Sequence, residues 1–301
     1  MPAKKMSETS FAKNTVALVS LLTGATIWGL IWHPYRVLEG MAVSAVLAAT
    51  LTYFVALLLG FPLLRRQLAG FRPSWMLALI GLVAGGCNLG YVLATVHGEV
   101  MRVLLLFYLA PLWTVLLARL LLNEKVSLPG TAVIALSLAG AVVMLWQPSL
   151  GMPLPKKGAE WLGLVAGFLF AFANVLIRKA HDLSIEIKSM AVFAGVVTVG
   201  FCVLPFEPNP VVLPPMAGWL LIGVIGVVLL ATNLFVQYGL THTPANQAIV
   251  IFLFELVVAA LASWLLAGEA MTLKEWIGGA MIVAASLFSG KLAEVESRPA
   301  C

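Results

Sequence analysis

Glu255 is an ionisable residue in the middle of a long apolar run, and this position makes it the first candidate for chemistry. It lies eleven residues into the run 244–267. At about 1.5 Å of helical rise per residue it sits about 16 Å deep, near the centre of a hydrocarbon core about 30 Å thick. A carboxyl group at that depth is costly and usually faces a water-filled cavity or a partner. We expect Glu255 to line a cavity and to bind an amino group or carry a proton; the alternative is a protonated carboxyl held by a helical neighbour.

Arg102 is a second candidate, because it lies close to the start of the apolar run 99–122. A guanidinium group can hold a carboxylate through two parallel hydrogen bonds. The backbone of Arg102 is expected about 13 Å nearer the outer surface than that of Glu255, so the two side chains would hold opposite ends of a ligand. The alternative is extension of the Arg102 side chain to the outer membrane surface. Glu99, one turn earlier on the same helix, could pair with Arg102 in either role.

Uncharged polar and aromatic residues form further candidates where they share a helical face. Asn88 and Tyr91 lie together in the run 74–96, and Asn233 and Gln237 lie together in the run 216–240. In lipid, such groups point inward and either form interhelical hydrogen bonds or line a pore. Trp28 lies too deep for an interfacial aromatic belt, so it packs in the core or lines the cavity. The complete set that we expect around a substrate is Glu255, Arg102, Trp28, Asn88, Tyr91, Asn233, Gln237, Tyr108, Trp113 and Gln247.

Pro111 predicts a kink in the run 99–122. A proline inside a helix has no N–H group to donate and leaves the carbonyl four residues earlier, here that of Phe107, without its helical partner. Two residues beyond this run lies Glu124, at the end of the fourth helix, and Glu269 lies two residues beyond the run 244–267 in the same way. These two glutamates are either solvated at the membrane interface or form gate contacts.

The elements that position these residues are membrane-spanning helices. The chain of 301 residues is 61% apolar and 10% charged, with a mean hydropathy of +1.03, far more apolar than soluble domains. Stretches such as 103–118 are apolar on every face, which excludes the alternating strands of a barrel. The sequence predicts an all-α integral membrane protein with ten spans: 15–35, 42–64, 74–96, 99–122, 127–147, 158–178, 187–205, 216–240, 244–267 and 272–290.

The basic residues predict the orientation. With the N-terminus inside, thirteen lysines and arginines fall in inner segments and five in outer segments. Positive residues are retained on the cytoplasmic side, so both termini are predicted to be cytoplasmic, in the inner membrane of a bacterium. The charges do not form a continuous patch, and we expect no nucleic-acid partner.

An internal repeat becomes visible when the chain is shifted by 145 residues. Asn88 then matches Asn233, Phe107 matches Phe252 and Glu124 matches Glu269, in unbroken register over some fifty positions. Each unit holds five spans, an odd number, so the second unit must be inverted, as in transporters that bind substrate between repeats. The predicted segments are a cytoplasmic N-terminal segment 1–14, a first repeat 15–147, an outer linker 148–157, a second repeat 158–290 and a cytoplasmic tail 291–301.

Several kinds of chemistry are excluded by what the sequence lacks. It has a single aspartate, Asp182, in a predicted loop, and no nucleotide-binding, nucleophile-elbow or zinc-protease motif. The three cysteines have no metal-ligand spacing. We expect no metal, no cofactor and no enzymatic activity.

Two stretches resemble a known family. The run from Gly98 to Trp113, followed by Leu-Leu-Leu-Asn-Glu at 120–124, and the second copy Trp-Leu-Leu-Ala-Gly-Glu at 264–269 are similar to the EamA-type branch of the drug/metabolite transporter superfamily. Within that branch the chain looks most like the YddG-like exporters of amino acids, including aromatic ones. The resemblance implies ten helices, two inverted repeats and export of small metabolites. Where many members have a proline in the ninth helix, this chain has Glu255 and Leu256.

The sequence therefore predicts a carrier for small metabolites, most of all amino acids, that works by alternating access around a cavity at the middle of the membrane. Its expected partners are a small-molecule substrate and the lipid bilayer, and a monomer would suffice. A gated channel or facilitator for small polar solutes is the alternative, followed by an intramembrane enzyme.

Overall fold

The computed structural model describes residues 2–69, 72–98, 100–146, 154–207, 212–267 and 272–296. Glu99, Glu269 and most of the predicted linker 148–157 lie outside these ranges, as do the last five residues of the predicted tail. Every regular element in the described ranges is helical: α1 (Pro2–Gly40), α2 (Ala45–Leu63), α3 (Arg65–Leu68), α4 (Trp75–His97), α5 (Val100–Phe107), α6 (Ala110–Leu121), α7 (Leu128–Leu145), α8 (Gly158–Lys179), α9 (Ile185–Val203), α10 (Met216–His242), α11 (Ala245–Phe252), α12 (Phe254–Ala267) and α13 (Leu273–Glu296), with a 3-10 helix at Leu204–Phe206.

Nine helical stretches in the described part of the chain are long and apolar enough to cross a membrane. They coincide, within a few residues at most ends, with the first nine predicted spans, and α13 occupies the window predicted for the tenth. The first span departs most, because α1 continues past the predicted end at residue 35 to Gly40. The prediction of an all-helical membrane protein is supported.

Serine side chains fix where several helices begin. The hydroxyl groups of Ser44, Ser74 and Ser184 accept hydrogen bonds from the backbone N–H groups of the first turns of α2, α4 and α9. Ser127 caps α7 in the same way and is followed by a proline in the first turn. Such caps satisfy N–H groups that have no partner within the helix, so the sequence itself marks these boundaries.

The fourth and ninth spans are each divided into two helices. α5 ends at Phe107 and α6 begins at Ala110, directly before Pro111. α11 ends at Phe252 and α12 begins at Phe254, although this span contains no proline at that point. Tyr108 and Leu253, which occupy the two breaks, are 145 residues apart in the sequence. The irregular backbone therefore recurs at one position of the repeat.

Successive spans alternate in direction, and this defines two ends of the bundle. α1 ends and α2 begins at what we call the Gly40 end. α6 and α8 finish, and α11 begins, at the opposite end, which we call the Glu124 end. The helices that pack most closely are α7 with α13, α4 with α8 and α9, and α10 with α1 and α2. Elements from both halves of the chain thus enclose the centre of the molecule.

Gly167 allows α8 to approach the first of the two helix breaks. A methyl group added at Gly167 would lie 2.9 Å from the α carbon of Phe107 and would also meet the Phe107 carbonyl oxygen. Backbone atoms cannot rotate out of the way, so Gly167→Ala is expected to lower stability by about 1–3 kcal/mol, the usual range for overpacking. The melting temperature of the purified protein in detergent measures this loss. Gly90→Ala is the matched control, because its methyl group would lie 3.6 Å from its nearest neighbour, Ala166. An equal loss in both variants would contradict the close contact.

Candidate functional site

A central cavity of about 860 Å³ lies between helices of the two halves. It opens toward the Gly40 end, where its lining includes the exposed Arg36 and Glu39. Ile177 and Leu240 belong to its floor, near the Glu124 end of α8 and α10. Six of the ten predicted site residues line it: Glu255, Trp28, Asn88, Tyr91, Asn233 and Gln237.

Glu255 projects into this cavity from the first turn of α12, directly after the break at Leu253. The hydroxyl group of Tyr108, at the other helix break, lies close to the Glu255 carboxyl group. Cys87 and Tyr91 line the cavity beside it. The two breaks thus bring a carboxyl group and a buried phenol together between the halves, although Tyr108 itself does not line the cavity.

Aromatic rings form one wall around the helix breaks. The ring of Phe170 lies 5.5 Å from that of Phe107 and 5.7 Å from that of Phe252. The indole of Trp28 packs on Phe252 at 5.4 Å and on Phe170 at 6.4 Å. Because Phe107 and Phe252 are equivalent in the repeat, Phe170 connects corresponding points of the two halves. Such a wall accommodates apolar groups and, through the ring faces, cations.

Amide side chains supply the polar part of the wall. The Asn88 amide N–H donates to the Tyr53 hydroxyl at 3.2 Å. Among the described residues, the buried atoms Oδ1 of Asn88, Oδ1 of Asn233 and Oε1 of Gln237 have no hydrogen-bond partner in the protein, and neither has Nδ2 of Asn174. Buried polar atoms without partners are costly, so these four atoms are suited to a polar ligand.

Asn174 and Tyr53 were not among the residues predicted from the sequence. Asn174 is an asparagine within the apolar run of the sixth span, and this signal was available. Tyr53 gave no signal, because a single tyrosine in a span more often packs in the core. Its place in the cavity wall depends on how α2 crosses α4.

The sequence matches the EamA-like transporter family twice, over residues 15–146 and again over residues 157–290. The chain belongs to the EamA-like transporter family. It is similar to an uncharacterized transporter of Archaeoglobus fulgidus, with 27% identity over 66% of this chain and 70% of the relative. It is also similar to an uncharacterized transporter of Pseudomonas aeruginosa, with 30% identity over 53% of each chain. A solved crystal structure shares the fold, with a TM-score of 0.77 at 20% identity over 94% of this chain and 98% of that one.

The two matches confirm the prediction of the family and of a duplicated unit, and they identify a multi-pass membrane protein that acts as a transporter. The central cavity of this EamA-like transporter lies between the two matched units, because α1, α2 and α4 come from the first and α8, α9, α10 and α12 from the second. The narrower resemblance to YddG-like exporters stays a prediction.

Arg102 of the EamA-like transporter lies outside the central cavity. Its Nε atom is 3.0 Å from Oε1 of Glu160, at the start of α8, and its guanidinium group also donates to the Leu154 carbonyl at 3.0 Å. Both side chains of the pair are buried. We expected Arg102 to bind a substrate carboxylate. In the structure, the carboxylate of Glu160 already contacts its guanidinium group. Helical spacing indicates only partners on the same helix, such as Glu99, and does not reveal Glu160, which is 58 residues away in the sequence.

Glu160→Gln is expected to destabilise the transporter by up to about 3–5 kcal/mol, because it removes the negative charge of one partner in a buried ion pair. The carboxylate that it replaces lies 3.0 Å from Nε of Arg102. Glu160 also accepts from the backbone N–H of Lys156 at 2.6 Å. Thermal unfolding in detergent measures the loss. Replacing both partners by methionine removes both charges and should be less harmful than the single change; the reverse order would show that the ion pair contributes little.

Trp113 and Gln247 also lie outside the central cavity. The Trp113 ring packs edge-on against Phe168, with 5.5 Å between ring centres. Within the described ranges, Nε1 of Trp113 and Oε1 of Gln247 are buried without a hydrogen-bond partner. Their expected contact with a substrate would require a different arrangement of the helices.

A second cavity, of about 520 Å³, lies at the Glu124 end. It is lined by Leu121, Leu122, Glu124, Arg178, Lys179, His181, Thr241 and His242. The Glu124 carboxylate accepts from Nε of Arg178 at 3.3 Å and from the backbone N–H of Ala245 at 3.0 Å. Arg178 also donates to the Thr241 carbonyl. Glu124 thus forms hydrogen bonds across the boundary between the two units. Such bonds are what the predicted gate contact requires.

Proposed function

We propose that this chain exports small metabolites, chiefly amino acids including aromatic ones, across the bacterial inner membrane by alternating access around the central cavity. The proposal rests on one observation: the carboxyl group of Glu255 lies in the wall of a cavity between the two family repeats. The cavity volume of about 860 Å³ lies within the range of roughly 300–1,000 Å³ typical of small-molecule sites.

The wall has the groups that an amino acid needs. An ammonium group is attracted by the Glu255 carboxylate, and the unpartnered carbonyl oxygens of Asn88, Asn233 and Gln237 are acceptors for its N–H groups. The rings of Trp28 and Phe170 suit an apolar or aromatic side chain. The residues that we assign to substrate contact are Glu255, Trp28, Asn88, Tyr91, Asn233 and Gln237. Tyr108 positions Glu255, and Pro111 produces the kink in the fourth span.

The contacts among helices support ten spans in two inverted repeats. α4 packs on α8 and α9, and α10, the equivalent of α4, packs on α1 and α2, the equivalents of α8 and α9. Exchanging the halves therefore reproduces the packing, as a two-fold axis would require. With five spans each, the repeats must enter the membrane from opposite sides, which is the arrangement that allows rocking around a central site.

The distribution of basic residues supports the orientation. Positive residues favour the cytoplasm, and the thirteen-to-five division of lysines and arginines assigns the Glu124 end to that side. The Gly40 end is then outside. The central cavity, which opens toward the Gly40 end, accordingly faces outward in this conformation.

Counterflow in liposomes tests the proposal. Vesicles containing the purified protein are loaded with one unlabelled amino acid, and entry of the labelled compound is followed for a panel of aromatic, aliphatic and charged amino acids. We expect saturable exchange that is fastest for the aromatic members. Absence of exchange for every member would contradict amino-acid transport, and non-saturable flux with ohmic current would indicate the channel alternative.

A further inference from the structure

We propose that Arg178 and Lys188 form a second substrate site at the Glu124 end, which binds a carboxylate in place of Glu124 when that end opens. The inference rests on the proposed function and extends it, because it divides recognition of an amino acid between two sites. Glu255 receives the ammonium group in the central cavity, and the two cations receive the carboxylate at the cytoplasmic mouth.

Arg178, Lys188 and Thr241 form a layer between the two cavities. Ile177 and Leu240 line the central cavity, and the residues that follow them, Arg178 and Thr241, line the second cavity. The side-chain hydroxyl of Thr241 donates to the backbone carbonyl of Gln237, another lining residue of the central cavity, at 2.7 Å. The second cavity is therefore the continuation of the passage beyond a closed layer.

The layer contains more positive than negative charge. Lys188 is completely buried at the start of α9. Its ammonium group donates to the Thr241 hydroxyl at 2.5 Å and to the Ile177 carbonyl at 3.4 Å, both of them neutral. Arg178 pairs with Glu124. In the part of the chain that the structure describes, no carboxylate is in ion-pair contact with Lys188, although Asp182 acts on it electrostatically from farther away. Glu124, which pairs with Arg178, is therefore the one carboxylate in direct contact with these two neighbouring cations.

The anion and the cations belong to different halves. Glu124 follows α6 in the first repeat, whereas Arg178, Lys188, Thr241 and Ala245 are all in the second. Opening of the Glu124 end by movement of the repeats separates Glu124 from Arg178 and from the Ala245 N–H group. The buried Lys188 and the half-buried Arg178 would then remain at the mouth as two cations without a bonded carboxylate. A substrate carboxylate is the group that fits them, since charge-assisted hydrogen bonds are among the strongest in proteins.

Transport into inverted membrane vesicles, which present the cytoplasmic side to the medium, tests this site. An aromatic amino acid is compared with its amide, which keeps the ammonium group and the ring and lacks the carboxylate. We expect the unchanged protein to prefer the amino acid, by the ratio of maximal rate to KM. Arg178→Gln should reduce this preference about tenfold or more, chiefly through the KM of the amino acid.

Lys179→Gln is the matched control, because it removes the adjacent positive charge in the same cavity while leaving the layer intact. Arg178→Lys and Lys188→Gln are measured in parallel, so that poor folding of one variant does not decide the outcome, and size-exclusion chromatography selects the folded ones. Lys188→Gln is also expected to reduce the preference, and Arg178→Lys should retain part of it.

The possible results separate this inference from the proposed function. If the unchanged protein transports amino acids and the preference survives in the folded Arg178 and Lys188 variants, the carboxylate site is wrong and the transport function stands. An equal loss in Lys179→Gln would also overturn the site, because the effect would be one of general charge. If the unchanged protein transports neither compound, the proposed function itself fails.

Discussion

Glu255→Gln is expected to reduce amino-acid exchange by about 10- to 100-fold, the range expected for loss of a hydrogen-bonded charge. Glutamine keeps the size of the side chain and can still accept a hydrogen bond from Tyr108. It removes the negative charge, however, from a site near the middle of the membrane, where water screens charges weakly. The initial rate of counterflow in liposomes measures the effect, at matched amounts of folded protein.

Glu39→Gln is the control for this prediction. Glu39 is another carboxyl group in the lining of the same cavity, but it is exposed at the mouth, so its neutralisation should alter exchange less than about twofold, as a screened surface charge would. Exchange by Glu255→Gln at the rate of Glu39→Gln, with unchanged selectivity, would refute binding of the substrate ammonium group by Glu255.

The same variant distinguishes the two roles predicted for Glu255. If the carboxylate binds the ammonium group, Glu255→Gln loses exchange and gradient-driven accumulation together. If Glu255 carries the proton that drives transport, equal exchange survives and only accumulation driven by a pH gradient is lost. Comparison of the two assays in one vesicle preparation decides between them.

Glu124→Gln is expected to open the Glu124 end of the molecule. The change removes the ion pair with Arg178, whose atoms are 3.3 Å apart, and weakens the bond from the Ala245 N–H group. Both contacts join the two repeats, so their loss favours the conformation in which that end is separated. A loss of about 1.4 kcal/mol changes the population of the two conformations tenfold, and we expect an effect of this order.

The reactivity of Cys87 reports this opening, because its side chain lines the central cavity. With the other two cysteines, Cys202 and Cys301, replaced by serine, a thiol reagent that does not cross membranes is applied to inverted vesicles. We expect Glu124→Gln to react about tenfold faster than the parent protein from this side. Glu186→Gln serves as the control, because Glu186 lies in the first turn of α9, at the Glu124 end of the molecule. Equal reaction rates in all three proteins would show that Glu124 does not hold that end closed.

Hydropathy and repeat analysis predicted most of the fold because each span depends on its own composition. Proline chemistry predicted a kink before Pro111, where α5 and α6 separate. The second break, at Leu253, was not predictable by that argument, since no proline lies there and the break arises where the span packs against the other half. The depth of Glu255 in its run was enough to suggest a cavity position.

The remaining features of the site required three dimensions. The partner of Arg102 is Glu160, across the linker between repeats, and sequence spacing carries no information on that contact. Asn174 and Tyr53 line the cavity only because α8 and α2 turn those faces toward α4. The layer formed by Arg178, Lys188 and Thr241 combines residues of three different helices. In the sequence, each of these residues alone is indistinguishable from an ordinary polar residue near a helix end.

Glu255 has no counterpart in the other repeat, where Ala110 occupies the corresponding position. A protein assembled from two copies of the first half would keep the aromatic rings of the helix breaks but would have no central acid, and one made from two second halves would have two. Joining unlike halves in one polypeptide places a carboxyl group beside only one of the two helix breaks. Two identical subunits related by symmetry could not make that distinction, because any acid beside one break would recur beside the other.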